Sequence, residues 1–281
     1  MRIAVTGATG QLGNHVVETL INRGITPADI VAVVRDAQRA AALADRGVQL
    51  AVADYDNEQA LTEALAGVDR LVLVSASEVG KRTAQHANVI NAAKANSVSL
   101  IAYTSLINAP TSTLALADEH RVTEQYLADS GIDHAVLRNG WYWENYSGSI
   151  EAARASGHLF GAAGDARVSG AARNDYAEAA AIVVTSDDQA GKVYELGGPA
   201  LSYPEIAAAL GTAIGGEVTY VNQGAEELRA GLESAGLPSE VAAFVAGMDV
   251  AISQGALYTE RADLQQLLGR EATPAAVALA G

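Results

Sequence analysis

The chain has 281 residues, 49% hydrophobic and 18% charged, and its 33 acidic side chains against 18 Lys and Arg give a formal net charge of −15. That balance argues against a phosphate-backbone binder, which needs a basic face, and the apolar content argues against disorder. With no cysteine, disulfide-stapled secreted folds, zinc fingers and cysteine nucleophiles are excluded, and no apolar run reaches the roughly 18 residues of a membrane span.

Met1 is followed at once by Ile3-Ala4-Val5, which reads as a first strand and leaves no room for a signal peptide. The expectation is a soluble cytoplasmic protein. Short apolar runs rich in branched residues then alternate with stretches of helical period. The strands are expected at Ile3–Thr6, Ile30–Val34, Val48–Val52, Arg70–Val74, Leu100–Thr104 and His134–Leu137. The helices between them are expected near Gln11–Asn22, Ala37–Asp45, Glu58–Leu65, Arg82–Ala95 and Ala117–Asp129, with Gly24, Gly47, Gly67 and Gly131 where C-caps belong. Strand alternating with helix predicts βαβ units, and nearly continuous apolar strands predict a parallel sheet covered on both faces. Right-handed crossovers make this an α/β fold with a Rossmann-type doubly wound parallel sheet.

After Asn139 the rhythm changes. Gly140–Ser149 holds both tryptophans and two tyrosines, and glycines are dense from Gly157 to Gly170. A helix near Asp175–Val184 and a strand near Lys192–Leu196 follow. Ser202-Tyr203-Pro204-Glu205 begins another helix with a serine cap and an acidic first turn. Val218–Val221 reads as a strand, 225–269 as mostly helical, and the Ala-rich stretch after Thr273 as a frayed end or a docking helix. The expected division is a Rossmann-type domain over 1–139 and a small mixed α/β subdomain over 140–281, packed on the first and partly interleaved with it.

The first strand runs into Thr6-Gly7-Ala8-Thr9-Gly10-Gln11-Leu12-Gly13. Gly7 allows a tight turn, Gly10 lets the backbone approach a pyrophosphate, and Gly13 lets the helix lie close to the strand. The helix N-terminus offers free N–H groups and a positive dipole end, so residues 7–12 are candidate cofactor contacts. The second strand ends at Arg35-Asp36. Arginine there suits the 2′-phosphate of NADPH, whereas a surface salt bridge on Arg35 would leave Asp36 to take the ribose of NAD. Asp54, after the third strand, accepts from the adenine amino group, caps the next helix, or does both, with Tyr55 as an apolar wall. Ser75-Ala76-Ser77 ends the fourth strand, where Ser75 and Ser77 would meet the nicotinamide ribose.

These residues, with Ser77-Glu78-Val79-Gly80, Ile101-Ala102-Tyr103-Thr104-Ser105-Leu106, Ala117-Asp118-Glu119-His120, Leu137-Arg138-Asn139-Gly140-Trp141-Tyr142, Gly161-Ala162-Ala163-Gly164-Asp165 and Lys192-Val193-Tyr194-Glu195-Leu196, carry a resemblance over nearly the whole chain. The sequence resembles the atypical short-chain dehydrogenase/reductases of the NmrA-like group, and within it the type 2 NAD(P)H:quinone oxidoreductases. The triphenylmethane dye reductases share Leu-Arg-Asn, but the chain departs from them at Ser77-Glu78-Val79-Gly80. The resemblance implies NADPH-dependent reduction of quinones. It also implies contacts to the nicotinamide half of the cofactor from the Arg138–Glu144 loop (Arg138, Asn139, Gly140, Trp141, Tyr142, Glu144) and from Arg173.

No tyrosine has a lysine four residues on, so the Tyr-Lys acid of ordinary short-chain dehydrogenases is missing. Quinone reduction does not need it. Hydride arrival leaves an aromatic oxyanion that water or a weak donor protonates, so orientation is the main requirement. Candidate donors are Tyr103, His120, Asn139 and Tyr142. His120 is otherwise a helix-surface histidine bonded to a neighbouring acid. Trp141, Tyr142, Trp143 and Tyr146 offer an aromatic wall, with at least two of the four expected in the core. Asn174 is expected to cap the helix that follows Arg173. The five histidines do not pair at metal-ligand spacings. The expected partner is a small quinone, with neither nucleic acid nor membrane, and a homodimer is compatible with this reading. The second reading is a redox sensor of the NmrA kind, binding the dinucleotide and a protein partner without turnover, and the third a reductase of another flat acceptor such as a triphenylmethane dye.

Overall fold

The computed structural model describes residues 1–281. The chain begins β1 (Ile3–Thr6), α1 (Gln11–Asn22), β2 (Ile30–Val34), α2 (Ala41–Asp45), β3 (Gln49–Val52), α3 (Glu58–Ala64), β4 (Arg70–Leu73), α4 (Arg82–Ala95), β5 (Leu100–Leu106), α5 (Ala117–Ser130) and β6 (His134–Asn139). It continues β7 (Trp141–Tyr142), α6 (Ile150–Ser156), β8 (His158–Gly161), β9 (Arg167–Val168), β10 (Gly170–Ala171), α7 (Arg173–Thr185), β11 (Val193–Leu196) and β12 (Leu201–Ser202). The last elements are α8 (Tyr203–Ile214), β13 (Thr219–Asn222), α9 (Ala225–Ser234), α10 (Ser239–Ser253), α11 (Asp263–Leu268) and α12 (Ala275–Ala280).

Two compact units form: Met1–Ala109, Asp118–Asn139 and Arg173–Tyr194 make the first, and Pro110–Ala117, Gly140–Ala172 and Glu195–Gly281 the second. The chain leaves the first unit for Pro110–Ala117, leaves it again after Asn139, and returns at Arg173. Helix α7 and the start of β11 belong to the first unit.

That unit is built on a seven-stranded sheet of order β11-β6-β5-β4-β1-β2-β3. Strands β1 to β6 pair in parallel. The amide of Gly191 bonds to His134 and that of Val136 to Lys192, so the numbers rise together and β11 runs parallel to β6. Alternation along each strand feeds two cores. Ala4, Val31, Val33, Leu71, Leu73, Ile101, Tyr103 and Val136 meet Leu61, Leu65, Val89, Ile90 and Leu127 of α3, α4 and α5. The alternate residues, among them Val5, Ala32, Val72 and Ala102, are fully buried towards the other face. There α7 lies beside α1 and covers β4 and β5. Helix α7 is buried on nearly every side, and its alanines (177, 179, 180 and 181) let it approach its neighbours closely.

The second unit is a mixed α/β assembly of short pairs, β7 with β10, β9 with β12 and β8 with β13, among helices. Helix α8 starts on the expected serine: Ser202 and Glu205 form a capping box. The Ala-rich end is helix α12, packed on α8 and on the turn over Trp143–Ser149.

Candidate cofactor site

Strands β2 and β4 flank β1, and the chain departs from β1 in opposite directions, which opens a crevice at the carboxyl ends of these strands. The turn after β1 fills it. Gly7 has φ +59°, and its carbonyl accepts the Gly10 amide at 2.8 Å. A Cβ on Gly13 would lie 2.3 Å from that carbonyl oxygen and one on Gly10 3.0 Å from it, so only glycine at 13 allows α1 to start so close to the turn. Helix α1 has no side-chain cap and no acidic residue in its first turn. Its first amides and its dipole are therefore available to an anion. Below the turn, Thr6 Oγ1 accepts from the Val74 amide at 3.0 Å, and Tyr55 donates its hydroxyl to the Val74 carbonyl at 2.8 Å. Tyr55 is thus a buried floor under Gly7, and burial pushes its phenol pKa up.

At the β2 edge, Arg35 has 63% of its side chain exposed and meets Glu78 at 3.4 Å, while Lys81 donates to Glu78 at 3.1 Å. The Lys81 bond is the main reason the Glu78 carboxyl sits below its ordinary pKa. Asp36 accepts the Gln38 amide at 2.8 Å and closes its own turn. Asp54 does the same with the Asp56 amide at 2.9 Å. The cap of α3 is Asn57, not Asp54, and it accepts from Ala60.

Beyond β4, the Ser75 amide donates to Thr104 Oγ1 at 2.9 Å, and Ser77 is exposed. Strand β5 runs two residues further than expected, so Tyr103 lies mid-strand instead of at an edge. It is fully buried, and its hydroxyl is 2.7 Å from His120 Nδ1. His120 is only 5% exposed, so it is not the surface residue considered from sequence. Burial, with a lesser push from Arg82, lowers its pKa to about 3. As a pair inside the unit, Tyr103 and His120 have almost no surface to offer a substrate. Arg138, expected at the cofactor, forms two bonds to Glu124, Nε to Oε1 at 3.0 Å and Nη2 to Oε2 at 2.7 Å, and Ser105 also donates to that carboxylate. Two bonds to a carboxylate fix a guanidinium well. Asn139, at the end of β6, is buried, and its carbonyl accepts the Ile107 amide. Arg173, half-buried, is itself the first residue of α7, so Asn174 lies inside the helix instead of capping it.

In the second unit, Trp141 and Tyr142 form β7 and are half-buried, as is Glu144. The Gly140 amide bonds to the Leu196 carbonyl. Trp143 is a core residue, 2% exposed, and a Cβ on Gly170 would lie 2.7 Å from its ring. Tyr146, half-buried, packs edge-on against Tyr203, so of the four aromatics only Trp143 is fully in the core, where at least two were expected.

Sequence reasoning missed a group of polar side chains beside the β4 exit: Arg82, His86 and Thr123, all buried, and the half-buried Glu119. The Ala76 amide donates to His86 Nε2 at 2.9 Å. The ring proton is therefore on Nδ1, which donates to Thr123 Oγ1 at 2.9 Å, and Thr123 in turn donates to the Glu119 carbonyl. Arg82 Nε donates to the Ala76 carbonyl at 2.7 Å and its Nη1 lies 3.4 Å from Glu119. Burial lowers the His86 pKa to about 3, so the ring is neutral. The available signal was polar residues at 82, 85 and 86 in helical register with apolar Val89, Ile90 and Ala93.

The NmrA-like family model matches residues 1–272. The chain is 50% identical to quinone oxidoreductase 2 of Escherichia coli (strain K12) over 96% of its own length and 95% of that protein's. Its structure is similar to the crystal structure of an Escherichia coli NADPH-dependent quinone oxidoreductase complexed with NADPH, with TM-score 0.94, 49% identity, and 99% and 98% of the two chains covered. It is also similar to the Citrobacter sp. triphenylmethane reductase complexed with NADP(H), with TM-score 0.93, 35% identity and the same coverage.

Proposed function

The chain belongs to the NmrA-like family, and on that premise we propose that it is an NADPH-dependent reductase that passes hydride directly to a small quinone, with no flavin or metal between them. The observation that carries the reading is one edge holding both an anion-ready turn and an exposed arginine. Gly13 keeps α1 tight on the turn, with its first amides open to a pyrophosphate. Arg35, beside Lys81, suits a 2′-phosphate, whereas Asp36 is engaged by its own turn. The Escherichia coli relative, half identical to this chain, is named a quinone oxidoreductase, which supports the acceptor class.

When bound, NADPH supplies the hydride. The work of this chain's residues is to bind and orient. Gly7 to Leu12 hold the phosphates, Arg35 selects the 2′-phosphate, and Ser75 and Ser77 lie at the strand end that would face the nicotinamide ribose. The reduced quinone is an aromatic oxyanion, which water can protonate. The burial of Tyr103 and His120 agrees with proton delivery from solvent and not from that pair.

The test is NADPH oxidation by the purified protein with and without 1,4-benzoquinone, beside NADH, after its visible spectrum has been checked for flavin. We expect quinone-dependent oxidation, poor use of NADH, and a KM for NADPH raised about 10- to 100-fold in Arg35→Ala, the equivalent of losing charge-assisted bonds. Tight NADPH binding without turnover would sink the enzyme reading in favour of a sensor. A flavin spectrum would sink direct transfer.

A further inference from the structure

The β4 exit loop is held in an unusual way. Strand β4 ends at Leu73, so Ala76 has no ladder partner, yet both of its peptide groups are bonded to side chains of one helix. Arg82 takes the carbonyl and His86 the amide, one turn apart on α4. Helix α5 backs both, with Thr123 on His86 Nδ1 and Glu119 on Arg82. Glu119 also accepts the Gly80 amide at 3.0 Å, which pins the far end of the same loop. His86 is fully buried, Thr123 1% and Arg82 6% exposed. Loop peptides ordinarily bond to water. Buried polar groups cost desolvation that apolar residues of similar size avoid, so stability alone does not call for this arrangement.

We propose that His86, backed by Thr123, is a positioning residue for hydride transfer: it fixes the Ala76 peptide, and with it Ser75 and Ser77, in the geometry that receives the nicotinamide half of the cofactor. The inference rests on the reading that this half lies at the β4 exit. His86 does not touch the reacting atoms. It acts through the loop, as an acceptor that Phe cannot replace and Gln can.

The experiment compares two probes by calorimetry, NADPH and 2′,5′-ADP, the second lacking the nicotinamide half. In His86→Phe, NADPH binding should weaken about tenfold and kcat should fall, with 2′,5′-ADP unchanged within about twofold. His86→Gln should recover most of both losses. Thr123→Val, nearly isosteric, should move the same quantities in the same direction by less, and it carries the test if His86→Phe does not fold. Equal losses for both probes, or no loss for either, would overturn the inference alone. Wild-type protein that binds neither probe would overturn the cofactor reading and this inference with it.

Discussion

Arg138 and Glu124 are each 14% exposed and joined by two hydrogen bonds, so removing one leaves the other charged and poorly solvated. Breaking such a pair costs about 3–5 kcal/mol. Arg138→Leu should therefore lower the unfolding free energy by about 3 kcal/mol in urea titrations while NADPH binding changes little. Full stability with a large loss of NADPH affinity would instead support the cofactor role implied by the family resemblance. The case shows where residue-level reading stops. Arginine at 138 was legible as a charge at a strand end, but its partner Glu124 lies on a neighbouring helix, and which of several nearby acids it would meet depends on packing. Gly7, Gly10 and Gly13 were legible because their reasons are local: a turn, and a helix that starts beside it.

Helices α4 and α5 carry the two histidines whose charge folding suppresses. Both titrate near 3 in the folded protein, chiefly through burial, against about 6.5 unfolded. Their surroundings include Arg82, Glu119, Glu124 and Tyr103. Between those pH values the unfolded chain binds protons that the folded chain does not. The histidines' stabilisation is therefore complete above about pH 6.5 and lost as pH falls towards 3, with a slope approaching about 1.4 kcal/mol per pH unit for each. Unfolding free energies measured from pH 6 to 4 should fall less steeply in His86→Gln by about that amount. Equal slopes would mean that the folded interior accepts the proton. At this scale the sequence was readable wherever apolar period decided the matter: α1 and α4 have the expected ends, and β5 and β6 depart from expectation only by running two residues further at their carboxyl ends. The two-residue extensions hold Ser105, Arg138 and Asn139, polar residues that the sheet ladder keeps extended where local preference gives no signal.

Over the whole molecule, −15 charges repel one another, and only three lysines stand among the cations. Salt screens that repulsion within about 10 Å at 0.1 M. The melting temperature should rise by several degrees from low salt to about 0.5 M sodium chloride, read by calorimetry at fixed pH. A fall would mean that surface pairs such as Arg167–Glu205 outweigh the net repulsion. The fold class was legible at this scale because alternation along the first 139 residues repeats. The second unit was less so: its strands are two to four residues long, and pairs such as β9 with β12 join distant segments without a periodic signature.

The return of α7 to the first unit bears on how the protein is made. Helix α1 presents Leu12, Val16, Val17 and Leu20, and the helix beside it there is not translated until residues 173–185. The edge strand after β6 comes later still. At roughly 5–20 residues per second, a ribosome that has passed Asn139 needs several seconds to deliver both. Through that interval β4 and β5 lack the helix that covers them on the α1 side, leaving apolar surface of the kind a chaperone binds.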